Sequence, residues 1–326
     1  MRIRTVAATT CLALALASCS TIQGGKDAPG PAEPTVDPKV SPLTGLRQDA
    51  PPDNPVYLVK IENTHGGEPQ YGLNHADIVI EEFVEFDVTR LAALFYSDLP
   101  TKVGHVRSTR TTDVGLAKPA DATVVASGGD DEPLKAVDDA GLTIYTYDRN
   151  DPGWSKDPGK VAPYHVLWNL QTLNETAKKT TPTRSYFEFG DGPAAADVTK
   201  KTTSARVAFA PATITGWKFT AGKWERSPER AAAGENFKAD TMIVVLGRVK
   251  DAGYGAQGGA FVPEIVLEGT GSAVIFSGAT ATEARWHKTT KSGTMSFTAA
   301  KTGKHIGIKP GRVWMEAAPR GAEVTY

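Results

Sequence analysis

The apolar residues of this chain come in short runs, each closed by Gly, Pro, Asp, Ser or Thr, and that spacing favours strands over long helices. Val56-Tyr57-Leu58-Val59-Lys60-Ile61, Ala122-Thr123-Val124-Val125-Ala126 and Leu142-Thr143-Ile144-Tyr145-Thr146-Tyr147 read as strands. Residues 77–85 and 89–96 read as two more, joined at Phe86-Asp87 as a hairpin. Two helices are expected. One runs from Asp130 or Asp131 to Ala140 and is stopped by Gly141; the other covers residues 170–179 and ends before Pro182. Beyond Ala194 the texture is strands with Gly/Pro/Ser/Thr turns, at residues 206–209, 241–246, 273–276, 283–287 and 311–315. The expected fold class is α+β, with a mixed-sheet amino-terminal domain over residues 42–195 and a β-rich carboxy-terminal domain over residues 196–326.

The amino terminus has a different character. Arg2 and Arg4 precede an apolar run over residues 6–17, too short to span about 30 Å of hydrocarbon, which is the pattern of a cleaved signal peptide over residues 1–18. The run ends in Leu16-Ala17-Ser18-Cys19, the form of a bacterial lipobox, so Cys19 is expected to carry a diacylglycerol after cleavage. A second acyl chain on the new amino group would make the anchor firm, at about 0.8 kcal/mol per buried methylene. Residues 19–41 are rich in Gly, Pro and Ala and lack apolar periodicity, so they read as a flexible tether with a reach of roughly 25 Å.

Cysteine use then becomes decisive. Cys11 leaves with the signal and Cys19 is lipidated, which excludes disulfides, thiolate catalysis and Cys-ligated zinc from the body. Losing Arg2 and Arg4 leaves 34 basic residues against 37 acidic, a net charge of −3. Such a balance gives no footprint for nucleic acid and no electrostatic hold on anionic lipid. The expected partner is the membrane, through the lipid, on the extracytoplasmic face of the bacterial cell.

Enzyme templates fail one by one. G-x-x-x-x-G-K-[ST], G-x-S-x-G and H-E-x-x-H are absent, and Lys301-Thr302-Gly303 has no S-x-x-K to accompany it, so it reads as a turn. The six histidines show no ligand spacing, so no metal and no cofactor are expected. Tyr145, Tyr147, Trp154, Tyr164 and Trp168 surround a Gly/Pro/Lys-rich loop, either as core or as contacts for sugar or protein.

The densest polar constellation is Glu81, Glu82, Glu85 and Asp87, followed by Arg90, Arg107 and Arg110. Strand alternation puts Glu81, Phe83 and Glu85 on one face and Ile80, Glu82 and Val84 on the other. A glutamate pointing inward requires a partner, and an arginine fork is the expected one. The set is either a structural ion-pair network or a polar pocket for an anionic or sugar ligand. A pair of carboxylates about 5–9 Å apart is the catalytic version.

An ordered series of residues resembles the YerB-like lipoproteins, a bacterial family described as a domain of unknown function. It comprises Lys60-Ile61-Glu62-Asn63, Pro69-Gln70, Gly72-Leu73, Ala76-Asp77-Ile78-Val79, Glu81-Glu82, Glu85, Thr89-Arg90, Val103-Gly104, Val106-Arg107-Ser108 and Arg110. Pro310-Gly311 and Trp314 resemble the end of the family's carboxy-terminal domain. The chain departs from the family pattern at Phe86-Asp87-Val88, at His105 and at Tyr164-His165. The resemblance implies a lipid-anchored, two-domain α+β protein and brings no activity with it. The leading expectation is a non-catalytic binding or scaffolding module that meets cell-wall synthesis proteins or wall glycan. Asn63, Gln70, Glu81, Glu82, Glu85, Arg90, Arg107 and Arg110 form its candidate cluster. The competing expectation is a hydrolase acting on wall glycan, with Glu82 and Glu85 or Glu81 as acid and base.

Overall fold

The structure, a computed structural model, describes residues 36–326. The expected signal peptide, the lipid-bearing Cys19 and the tether as far as residue 35 lie outside the described residues. The chain is already held to the body near residue 41: Ser41 is buried, and the carbonyls of Pro42 and Thr44 accept from the amides of Tyr186 and Gly311.

The apolar runs of the first half become β1 (Tyr57–Glu62), β2 (Ile78–Phe83) and β3 (Thr89–Phe95), in which every residue but Phe83 is buried. Strands covered on both faces read as continuous apolar runs rather than alternating ones. After α1 (Thr112–Ala117) come β4 (Thr123–Ala126), α2 (Asp131–Asp139) and β5 (Ile144–Thr146). α2 makes the crossover that two parallel neighbours require, since β4 and β5 pair in parallel. Asp130 precedes α2 in an extended conformation, Asp131 and Glu132 favour the positive end of its dipole, and Gly141 (φ +66°) lets the chain leave. α3 (Leu170–Thr176) is capped by the Asn169 side chain, which accepts from the Thr172 amide at 3.1 Å.

The second half is all strand: β6 (Ser204–Ala210), β7 (Thr213–Thr220), β8 (Lys223–Ser227), β9 (Thr241–Gly255), β10 (Phe261–Val266), β11 (Gly269–Ser277), β12 (Thr280–Lys288), β13 (Ser296–Ala299), β14 (His305–Ile306), β15 (Val313–Pro319) and β16 (Glu323–Thr325). Lys301-Thr302-Gly303 is a turn between β13 and β14, with Gly303 at φ +71°.

One thirteen-stranded mixed sheet takes strands from both halves in the order β14-β13-β12-β11-β9-β15-β2-β3-β1-β4-β5, with β10 on β9 and Lys200–Lys201 on β12. β15 lies between β9 and β2 and is parallel to both. On one face α1 and α2 bring Val114, Leu116 and Val137 against Leu58, Ile80 and Leu94. On the other lies a four-stranded sheet, β8-β7-β6-β16, whose Trp217 and Trp224 meet Trp314 and Phe276 edge-on at 5.1 and 5.2 Å. The architecture is α+β, a mixed sheet with a strand-rich carboxy-terminal part.

Candidate functional site

The Glu/Arg cluster is distributed by the main sheet among three places. Even-numbered residues of β1 and β2 point to the helix-covered face. There Lys60 is fully buried, and its Nζ pairs with Glu82 and, at 2.7 Å, with Asp113 Oδ1. Asp113 also accepts from Thr109 Oγ1 and the Arg110 amide at 2.8 and 2.7 Å. Burial lowers the Lys60 ammonium to about 8 against the pull of Asp113, so it remains charged at neutral pH. The partner of Glu82 is therefore a lysine rather than the expected arginine fork, and Glu82 is sealed from solvent.

Odd-numbered residues point the other way, toward β7 and β8. Glu81 Oε1 accepts from Thr89 Oγ1 (2.7 Å), Thr215 Oγ1 (2.8 Å) and Asn63 Nδ2 (3.0 Å). Gln70 Nε2 donates to Asn63 Oδ1 at 3.0 Å, and Arg226 bridges Asn63 and Gln70 from β8 at 2.7 and 2.5 Å. This network underlies a polar cavity of about 250 Å³ that also reaches Thr64, His65 and Arg230. Glu316 of β15 is the in-register neighbour of Glu81. It accepts from Trp217 Nε1 at 2.7 Å, and the remaining oxygen of each carboxyl is buried with no other partner. Burial, and then the facing Glu81 charge, push the Glu316 carboxyl well above the usual carboxylate range, so that it keeps a proton and donates it to Glu81.

The third place is an open cleft of about 460 Å³ lined by Glu62, Thr64, Glu85, Phe86, Arg90, Arg107, Arg110, Asp130 and Tyr164, among others. Alternation puts Glu85 on the face of Glu81, but the strand stops at Phe83. The chain then enters a short 3-10 turn (Glu85–Asp87), with Phe86 at φ +62° and Asp87 at φ +54°. That turn carries the Glu85 carboxylate across to the arginines. Arg110 grips it with two donors, its Nε at 2.8 Å, and Arg90 Nη2 adds a third at 3.1 Å. Burial pushes Glu85 up, but the Arg110 hydrogen bonds and the charges of Arg90 and Arg110 outweigh it and hold the carboxyl at about 2. Glu85 therefore carries no proton to donate at neutral pH. Arg107 Nη1 pairs with Glu62, and its guanidinium lies 5.1 Å from the Tyr164 ring centroid. Arg90 Nε is buried without an acceptor. Left-handed backbone costs a residue with a side chain roughly 1–2 kcal/mol, and here Phe86 adds a 62% exposed ring.

Of the expected residues, then, Glu85, Arg90, Arg107 and Arg110 come together in the open cleft. Asn63 and Glu81 line the second cavity, Gln70 is buried behind Asn63, and Glu82 lies in the core. Lys60, Glu62, Asp113, Thr215, Arg226 and Glu316 complete these sites and were not among the expected residues. Of the five aromatics, Trp168 is core and Tyr164 lines the cleft. Among the described residues no group of three or more His, Cys, Asp or Glu could hold a metal, and no helix is long and apolar enough to cross a membrane.

Comparison with known proteins places these residues in context. The amino-terminal domain of a family described as "Protein of unknown function (DUF3048)" matches residues 43–183, and that family's carboxy-terminal domain matches residues 205–315. A Bacillus subtilis (strain 168) protein named "Putative lipoprotein YerB" is 34% identical over 151 residues, spanning 45% of this chain and 44% of that protein. The crystal structure of YerB protein from Bacillus subtilis superposes with a TM-score of 0.72, covering 88% of this chain and 99% of that chain. At 21% identity that likeness is one of fold.

Proposed function

The chain belongs to the DUF3048 family, and on that premise we propose that it is a lipid-anchored binding or scaffolding module on the extracytoplasmic face of the bacterial cell membrane. Its cleft at Glu62, Glu85, Arg90, Arg107 and Arg110 takes an anionic ligand from the cell wall. The relative named as a lipoprotein supports the anchor, as does the lipobox ending in Cys19.

One observation carries the binding reading. Three guanidiniums line one open cleft with the buried Glu62 and Glu85 and the exposed Asp130, and Arg107, which pairs with Glu62 through one nitrogen, is the most exposed of the three. Its remaining guanidinium donors can hold an anion in the cleft by charge-assisted hydrogen bonds. Catalysis is less well supported. Glu82 is sealed, Glu85 is clamped by arginines, and Glu81 is buried with its Oε1 already accepting three hydrogen bonds.

The test measures binding of soluble wall fragments to the purified chain by calorimetry at low and high salt. Binding that weakens with salt and is lost in Arg107→Ala supports the reading. Binding that is indifferent to Arg107 overturns it.

A further inference from the structure

Phe86 combines two unfavourable features, a left-handed backbone and a mostly exposed aromatic ring. A small or polar residue would avoid both, so contacts within the chain do not account for it. Its position does. Phe86 lines the arginine cleft, as does Tyr164, a second aromatic that is already in contact with Arg107.

We propose that Phe86 is a ligand contact and that the cleft takes an acidic sugar, an inference that rests on reading the cleft as an anion site. The lining matches such a ligand part by part. An acid group needs guanidinium donors, and Arg107, the most exposed arginine of the cleft, supplies them. The C–H face of a sugar ring is apolar and packs on aromatic rings, which Phe86 and Tyr164 present. Sugar hydroxyls need acceptors, and the exposed Asp130 carboxylate lines the same wall. A small inorganic anion would use the arginines and leave Phe86 without a role. A purely apolar ligand would leave the arginines without one.

The experiment titrates the full-length chain, carrying Cys19→Ser to remove the lipid site, with three probes followed by NMR. N-acetylmuramic acid has ring and acid, N-acetylglucosamine has the ring without the acid, and lactate has the acid without the ring. N-acetylmuramic acid is expected to bind, and removal of either part to weaken binding at least about tenfold, the effect of one lost charged or stacking contact. Phe86→Gly is expected to weaken it about fivefold or more while the melting temperature holds or rises, and Phe86→Trp to retain it. Equal binding of lactate, or unchanged binding by Phe86→Gly, overturns the acidic-sugar inference and leaves the anion cleft standing. No binding of either acid, or binding indifferent to Arg107→Ala, overturns the anion cleft and this inference together.

Discussion

Glu81 and Glu316 sit side by side on parallel neighbouring strands, both buried, and the raised Glu316 carboxyl faces Glu81. Two carboxylates so placed cannot both ionise without a large loss of stability. Because the folded-state value of Glu316 is raised, this contribution is fully present below the unfolded glutamate range, near about 4.3. It is lost as pH rises through the folded value.

The first prediction follows from that pair. Glu316→Gln keeps a donor toward Glu81 and removes the titration. Urea midpoints measured from about pH 5 to about pH 9 should fall with pH in the wild type and stay flatter in the variant. Each unit by which Glu316 is raised corresponds to about 1.4 kcal/mol. Superimposable profiles would show that the Glu316 carboxyl is not raised by its surroundings.

Lys60 pairs with both Glu82 and Asp113 in the core. Lys60→Met should destabilise the fold by about 3–5 kcal/mol, because it strands buried carboxylates. Adding Glu82→Leu should recover part of that loss. A single variant as stable as wild type in urea would remove the triad from the list of structural supports.

Arg90→Ala takes one of two arginines from Glu85. At about 2–4 °C per kcal/mol for a chain of this size class, a loss of several degrees in melting temperature is expected. The acid limb provides a second readout. The depressed Glu85 carboxyl contributes stability above its unfolded value that is lost as pH falls through about 2. With one arginine gone, acid unfolding should move to higher pH. Thermal and acid profiles that both match wild type would contradict the pairing.

Cys19→Ala should move the protein from the membrane fraction into the medium or leave it unprocessed, since without acyl chains nothing else in the chain is basic enough to hold anionic lipid. Membrane fractionation and mass spectrometry of the mature amino terminus read the outcome. A normally processed, membrane-bound variant would count against the anchor.

Much of the architecture could be read from patterning, for a physical reason. β1, β3 and β4 are buried on both faces, so their runs are apolar throughout, and α2 is bracketed by Asp130 and Gly141. β7, β8 and β10 escaped because they are only half buried and interrupt their apolar residues with polar ones, with Gly216 in β7 and with Pro263 in β10. α1 escaped because six residues around Gly115 are too few for a helical period. The site was read in its residue types but not in its partition. Alternation correctly separates Glu81 from Glu82, yet it cannot anticipate a turn at Phe86 that sends Glu85 to the opposite face. Lys60 within YLVKIE and Glu316 within VWMEAAP did carry a signal. A single charge inside an apolar strand must meet a partner from elsewhere in the chain.

The position of β15 decides when this molecule can finish folding. The gap between β2 and β9 is filled by residues 313–319, which follow every other strand of that sheet along the chain. Until they arrive, two long apolar strands have open hydrogen-bonding edges in the middle of what will become a continuous sheet. A copy truncated just before residue 313 would lose more than its tail: its two halves would have no shared seam, and each would present an adhesive edge to its neighbours.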